Sequence, residues 1–76
     1  MNIITESAIV QRIQRKLRYT TQQLFRVRGK RQQEELGRYQ LKDIYRNLCV
    51  LHHVNLEAYG RQLGVLRQDE TVGMNP

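Results

Sequence analysis

The residue types with the clearest chemical use in this sequence are seven of the eight basic side chains between positions 12 and 31. They are Arg12, Arg15, Lys16, Arg18, Arg28, Lys30 and Arg31. Arginine and lysine neutralise phosphate groups, and each such contact with a nucleic acid releases condensed counterions. No acidic residue lies between Glu6 and Glu34, whereas an ordinary helix surface usually mixes both signs of charge. The pattern favours a nucleic-acid contact, and its alternative is an ordinary solvated helix face.

Cys49, His52 and His53 supply three potential metal ligands within five residues, but no second cluster completes a tetrahedral zinc site. Consecutive residues on a strand point to opposite faces, so the two histidines would not share one ion. A cysteine in an apolar run is typically a small core residue. The chain has no Gly-rich phosphate loop and no paired-carboxylate or Ser/His/Asp motif. We therefore expect no catalytic residue, no metal site and no cofactor.

Two aromatic residues, Tyr39 and Tyr45, lie in a basic segment where they could stack on unpaired bases. Tyrosines of this kind more often cover a small core and keep their hydroxyl groups in water. Both interpretations remain open on the sequence.

At 76 residues the chain is near the lower limit for a self-sufficient core. We expect one domain over residues 1–68 and a flexible tail over 69–76. A net charge of +6 and a pI near 10.1 favour DNA, RNA or an acidic protein as the partner. The single cysteine suits a reducing compartment, and neither a signal peptide nor a run of about 20 apolar residues occurs. The expected location is cytoplasmic, without a membrane partner.

Apolar residues at spacings of three, four and seven predict one long amphipathic helix from Thr5 to Arg28. Thr5 or Ser7 is the expected N-cap, and Gly29 suits the end of the helix. The β-branched pair Thr20 and Thr21 lowers helix propensity, so a bend or early fraying there is the alternative. The helix would pack on the domain's own hairpin or form a homodimer through one stripe, Val10, Ile13, Leu17 and Leu24.

Residues 29–37 are polar and bounded by Gly29 and Gly37, which predicts a connecting loop with at most one helical turn at its end. A continuous helix over residues 7–36 is the competing interpretation, because one interior glycine costs only about 1 kcal/mol.

The segment from Arg38 to Val54 fits two patterns. Alternation around Tyr39 and the apolar run from Leu48 to Leu51 predict a β-hairpin, with Asp43 and Asn47 in its turn. The same apolar residues also fit a helical stripe, and periodicity alone does not decide between them. We favour the hairpin.

The final element is a helix over Leu56–Leu63, with Asn55 as N-cap and Gly64 as its glycine stop. The predicted order is helix, hairpin, helix, which is a small α+β fold; an all-α fold is the alternative.

Four stretches of the chain carry a family resemblance. They are Arg12–Leu17 (RIQRKL), Leu36–Asp43 (LGRYQLKD), Asn47 and His53–Leu66 (HVNLEAYGRQLGVL). These stretches resemble a group of small, functionally uncharacterised proteins found on chromosomes and mobile elements of Gram-negative bacteria. The group usually has aspartate where this chain has Asn55, a change that keeps the N-cap. The resemblance covers most of the chain, implies helix, hairpin, helix, and implies no activity.

We therefore predict a non-catalytic nucleic-acid-binding or regulatory module that uses the seven basic residues. The alternative is a protein–protein interaction or assembly module, as a dimer or bound to an acidic partner, without nucleic-acid contact. Binding to a membrane surface is the weakest hypothesis, because Phe25 is the only aromatic anchor on the apolar face.

Overall fold

The computed structural model describes residues 2–73, which form three helices and five strands. In chain order these are β1 (Asn2–Thr5), α1 (Glu6–Leu17), β2 (Gln22–Arg26), α2 (Lys30–Leu36), β3 (Tyr39–Asp43), β4 (Leu48–Leu51), α3 (Leu56–Gln62) and β5 (Glu70–Gly73). The strands form a two-stranded and a three-stranded sheet, so the predicted α+β class is confirmed.

The residues group into two compact units. Unit 1 contains both ends of the chain, Met1–Lys16 and Asn55–Pro76, of which 2–16 and 55–73 are described. Unit 2 is the central segment Leu17–Val54.

Unit 1 contains a parallel pair of strands, in which Asn2 lies opposite Glu70 and Thr5 opposite Gly73. The Thr5 hydroxyl accepts a hydrogen bond from the Ala8 N–H at 3.1 Å, so Thr5 caps α1 as predicted. The buried face of α1 includes Ile9, which is fully inaccessible to solvent. A Cβ atom on Gly60 of α3 would lie 2.9 Å from the Cδ1 atom of Ile9, so α1 and α3 approach closely at this point.

Both ends of α3 follow the prediction. The Asn55 side chain accepts a hydrogen bond from the Ala58 N–H at 3.0 Å. At the other end, Gly64 adopts φ +75° and its N–H donates to the Arg61 carbonyl at 3.1 Å. The Val65 N–H donates to the Gly60 carbonyl at 3.0 Å, which completes a Schellman cap.

Unit 2 contains the antiparallel sheet β2-β3-β4, and the predicted hairpin is its β3–β4 pair. One face of the sheet is buried and includes Leu24 and Leu41, which lie opposite each other. Asp43 ends β3 and organises the turn, because its carboxylate accepts from the Arg46 N–H at 3.0 Å and from the Thr21 hydroxyl at 3.1 Å. The hairpin prediction is therefore confirmed, including the turn residue.

The long first helix is the main wrong prediction, because α1 ends at Leu17. Both the N–H and the hydroxyl of Thr20 donate to the Leu17 carbonyl, at 2.9 and 2.8 Å, and the Gln22 N–H donates to the Thr20 hydroxyl. The side chain thus satisfies backbone groups that a continuing helix would use. Residues 22–26 instead form β2, which pairs with β3 over five positions. Early termination at the threonine pair was the better of the two interpretations.

Residues 29–37 are also structured differently from either expectation. They contain α2, which begins after Gly29 (φ +92°) and ends before Gly37 (φ +78°). A loop is therefore wrong for this segment, and so is a continuous helix over residues 7–36. The two glycines adopt backbone conformations that other residues reach only with strain, and this interrupts the helix at both ends.

The predicted tail at 69–76 is wrong over its first half. Residues 70–73 form β5, and the Asn2 N–H donates to the Asp69 carbonyl at 2.7 Å. The remaining residues, 74–76, lie outside the described part of the chain. Strand β5 is short and has no alternating pattern, so only its partner β1 reveals it.

Candidate nucleic-acid interface

Arg12 is held by interactions inside unit 1. Its guanidinium forms a two-point ion pair with the buried Glu70, at 2.9 Å and 3.3 Å, and donates to the Val65 carbonyl at 3.2 Å. Glu70 also accepts from the Arg67 N–H at 2.9 Å. The hydrogen bonds donated by Arg12 and Arg67 hold the pKa of Glu70 below its usual value, and the bond that Arg12 donates to Glu70 raises the pKa of Arg12. Arg12 therefore stabilises unit 1, and its charge is already neutralised by a carboxylate.

Arg15 and Lys16 are exposed near the end of α1. Together with Arg12 and Val65 they line an open surface pocket of about 270 Å³. These two side chains remain accessible for contacts with an anion.

The other four predicted ligands lie in unit 2, and no single helix carries them. Arg18 follows α1 in a turn, Arg28 precedes α2, and Lys30 and Arg31 form the first turn of α2. All four side chains are exposed. Lys30 and Arg31 each precede a glutamate of α2 by four positions, a spacing that brings opposite charges together. Arg18 and Arg28 have no acidic residue within five positions in the sequence.

Positive charge is divided unevenly between the two units. Unit 2 has eight Lys or Arg residues and three Asp or Glu residues, a formal net charge of +5. Unit 1 has five Lys or Arg residues and four Asp or Glu residues, a formal net charge of +1. Two of the acidic residues in unit 1 pair with arginines: Glu70 with Arg12, and Glu57 with Arg61 at 4.0 Å. The excess of positive charge therefore belongs to unit 2.

The second face of the β2-β3-β4 sheet carries a group that was not predicted. Phe25 on β2 is 38% exposed and lies opposite Gln40, while Gln23 lies opposite Lys42. The Lys42 Nζ atom is 5.8 Å from the centre of the Phe25 ring. The sequence predicts Phe25 within the long first helix, so it does not predict the pairing of Phe25 with a residue of β3. The segment Gln22–Arg26 (QQLFR) lacks the regular alternation of apolar and polar residues that indicates a strand, so its sequence carried no clear signal for β2.

The two tyrosines considered for stacking have different environments. Tyr39 is 8% exposed and belongs to the buried face of β3, so stacking on bases by Tyr39 is wrong. Tyr45 is 86% exposed in the hairpin turn and remains accessible.

Cys49 and the two histidines do not form a site. Cys49 is exposed on β4, contrary to the expected core position, and its Sγ atom lies 3.3 Å from the Leu51 carbonyl. His52 and His53 follow β4 in a bend, where their rings meet edge to face at 5.3 Å, so the expected strand geometry is wrong there. Among residues 2–73, no group of three or more His, Cys, Asp or Glu side chains is arranged to hold a metal ion.

The stripe predicted to form a homodimer is not exposed. Ile13, Leu17 and Leu24 are each at most 5% exposed, and Val10 is half-buried. Leu24 also lies on a strand, so the four residues do not share one helix. Exposed apolar side chains are found instead around the hairpin, on Ile44, Tyr45, Leu48, Val50 and Leu51.

No protein-family model, curated protein or solved structure matches this chain at a significant level. The bacterial resemblance drawn from the sequence therefore remains a prediction. None of the helices within residues 2–73 is long and apolar enough to cross a bilayer.

Proposed function

We propose that this protein is a non-catalytic nucleic-acid-binding module whose phosphate contacts are concentrated in unit 2. The observation that carries the proposal is the net charge of +5 on this unit, with Arg18, Arg28, Lys30 and Arg31 exposed. A nucleic acid is a dense linear polyanion, and its affinity for a protein increases with the number of phosphates that basic side chains neutralise. Arg15 and Lys16 add a smaller basic surface on unit 1.

The charge distribution supports general affinity rather than recognition of one base sequence. Reading of a duplex normally requires an element that enters the major groove with several side chains at base edges. Helix α2 has seven residues, and two of them are glutamates. Contacts to phosphates position a protein on nucleic acid without carrying sequence information.

The test compares two double substitutions that remove equal charge from exposed positions. Arg18→Gln/Arg28→Gln removes two charges from unit 2, and Arg15→Gln/Lys16→Gln removes two from unit 1. Binding of labelled single-stranded and duplex DNA and of RNA is measured between about 50 and 200 mM salt. We expect the slope of log affinity against log salt to fall by about 1.5 in the unit 2 variant and by less than about 0.5 in the unit 1 variant.

The two variants control for each other, because both remove two charges from solvent-exposed positions. A larger fall of the salt slope in the unit 1 variant than in the unit 2 variant would show that the phosphate contacts are made mainly by α1. The absence of binding by the unaltered protein at the lower salt concentration would overturn the proposal.

A second candidate function, protein assembly, is favoured by the edge of the unit 2 sheet. In the strand order β2-β3-β4 one edge of β4 has no neighbouring strand within the sheet. All four residues of β4 are exposed and none carries a charge; Val50 is 40% exposed and Leu48 49%. Such an edge is a template for pairing with another strand, and proteins usually protect it with charge or proline.

This candidate is tested by sedimentation over a range of protein concentrations, with and without the substitution Val50→Lys. An assembly formed through β4 is expected to persist at high salt and to dissociate in the variant, because a charge would be placed on the paired edge. A monomer at every concentration would exclude self-assembly.

A further inference from the structure

The outer face of the β2-β3-β4 sheet has a composition that suits unpaired bases. On β2 and β3 it carries Gln23, Phe25, Gln40 and Lys42, and Cys49 of β4 lies opposite Lys42. None of these side chains is acidic. The nearest acidic strand residue, Asp43, belongs to the buried face, where the hairpin turn and Thr21 bind its carboxylate. A polyanion approaching this face therefore meets no opposing carboxylate from the strands.

Phe25 is the residue on this face that can bind a base. An aromatic ring with 38% of its surface exposed leaves apolar area in water that a flat partner can cover. Every nucleobase presents a π-face, so stacking on an aromatic ring tolerates any base. A base inside a duplex is already covered on both sides by its neighbours. The ring is therefore accessible only to nucleotides that are unpaired.

Lys42 supplies the charge that such a nucleotide requires. Its ammonium lies 5.8 Å from the centre of the Phe25 ring, held by attraction to the π-face. The lysine side chain is long and flexible, so the ammonium can move to a phosphate when a base covers the ring. The amides of Gln23 and Gln40 flank this pair across the strands and offer both donors and acceptors to exposed base edges.

From these contacts we infer that the outer face of unit 2 is a binding site for single-stranded nucleic acid, in which an unpaired base stacks on Phe25 and Lys42 contacts a phosphate. The inference rests on the proposed function and deepens it, because it names the class of nucleic acid and the residue that selects it. The basic residues around unit 2 then contribute affinity, while Phe25 contributes the preference for single strands.

The first experiment measures the affinity of Phe25→Ala for an oligothymidylate of about 12 nucleotides and for a duplex of equal length. Loss of stacking is expected to weaken single-strand binding about 5- to 150-fold and to change duplex binding by less than about twofold. The salt slope should stay constant in this variant, because no phosphate contact is removed. In Lys42→Gln the slope for the single strand should fall by about 0.7.

Tyr19→Ala is the matched control, since it also removes an exposed aromatic ring from unit 2, in the turn after α1 and outside the sheet face. It should bind both nucleic acids like the unaltered protein. Thermal unfolding of each variant checks that the fold is retained. Phe25→Tyr, which keeps an aromatic ring, should restore single-strand affinity.

A second measurement does not depend on loss of binding. The chain contains four tyrosines and no tryptophan, so Phe25→Trp introduces a single tryptophan, whose emission can be excited apart from that of the tyrosines. Stacking of a base is expected to quench its emission on addition of the oligothymidylate, whereas the emission of Tyr19→Trp should change little. Vesicles of anionic phospholipid without nucleic acid should leave both variants unchanged.

The possible outcomes distinguish an error in the proposed Phe25 site from an error in the proposed nucleic-acid-binding function. Salt-dependent binding of single strands that is unaffected by Phe25→Ala, with no quenching in Phe25→Trp, would overturn the site and leave the proposed function standing. Equal affinity of the unaltered protein for duplex and single strand would also overturn the site and leave the proposed function standing. Quenching by vesicles alone would replace nucleic acid with a lipid surface and overturn the site. No binding of any nucleic acid would overturn both proposals.

Discussion

Individual residues in this protein owe their roles to partners that are distant in sequence. Arg12 is one of the seven basic residues predicted to contact nucleic acid, but its ion pair with Glu70, 58 positions away, gives it a structural role. Phe25 lies among basic and polar residues in the sequence, but the pairing of β2 with β3 brings Lys42 to its ring. A charge count therefore includes Arg12, whose charge is already paired, and omits Phe25.

Two glycines with positive φ differ in how much an added side chain would cost the fold. Both Gly37 and Gly64 have positive φ, +78° and +75°. A Cβ on Gly37 would lie 2.6 Å from the His53 Cα atom, whereas a Cβ on Gly64 would meet nothing within 4 Å. We expect Gly64→Ala to lower the free energy of unfolding by about 1–2 kcal/mol through strain alone. Gly37→Ala should lower it by about 2–5 kcal/mol, because the backbone of His53 must also move.

Urea unfolding of the two variants at one pH measures this difference directly. Gly64→Ala is the control for a positive φ in open space, whereas Gly37 combines the close approach to His53 with ψ −172°, a conformation essentially restricted to glycine. Equal losses would contradict the close approach of Gly37 and His53.

At the element scale, local end signals determine some boundaries and long-range pairing determines others. Helix α3 begins and ends where its capping residues predict, through Asn55 and Gly64. Helix α1 ends early because Thr20 bonds to the Leu17 carbonyl and because the chain that follows is a partner strand for β3. An apolar residue at every third or fourth position was consistent with both structures over this stretch.

The cap of α3 gives a prediction that belongs to this scale. Asn55→Ala removes the acceptor for the Ala58 N–H and should cost about 1 kcal/mol of unfolding free energy. Asn55→Asp keeps the acceptor and adds a negative charge at the positive end of the helix, so its stability should equal or exceed that of the unaltered protein. Chemical denaturation of both variants provides the measurement, with Gln62→Ala at the exposed end of α3 as control. A loss of stability in Asn55→Asp as large as that in Asn55→Ala would show that the loss does not come from the missing acceptor.

At the scale of the whole molecule, three hydrogen-bonded carboxylates make the free energy of unfolding depend on pH. Each of the three carboxylates has a lowered pKa because it accepts hydrogen bonds. The largest effect on Asp43 comes from the backbone N–H of Arg46, and the largest effect on Glu57 comes from the Thr71 hydroxyl. The largest effect on Glu70 comes from the Arg12 side chain. A carboxyl group with a lowered folded pKa stabilises the fold at pH values above its unfolded pKa. This stabilisation is lost as the pH falls through the folded pKa.

We therefore expect the contribution of these three groups to the free energy of unfolding to be constant above about pH 5 and to decline below about pH 4.5, near the ordinary pKa of glutamate. Glu70→Gln should be less stable at pH 7 and should show a shallower decline, because it lacks one of the titrating groups. Urea unfolding from pH 2 to 7 measures both effects. A stability that rises on acidification through this range would contradict the bound state of the carboxylates.

The sequence by itself was sufficient for the features whose causes are local. The turn of the hairpin has a local cause in Asp43, although the apolar pattern of this segment also fitted a helix and the structure decided between them. The α3 helix follows from its N-cap and its glycine stop. The excess of positive charge is a property of composition. In each case the decisive residues lie within a few positions of the structure that they produce.

Only the tertiary structure decided the remaining features, because their causes are contacts between distant segments. Strands β1 and β5 exist as a pair, and neither four-residue stretch has a pattern strong enough to reveal it alone. Strand β2 owes its form to β3, since the helical period of its apolar residues pointed the other way. The same pairings removed Arg12 from the basic surface and placed Phe25 beside Lys42, and so moved the candidate interface from a helix to a sheet.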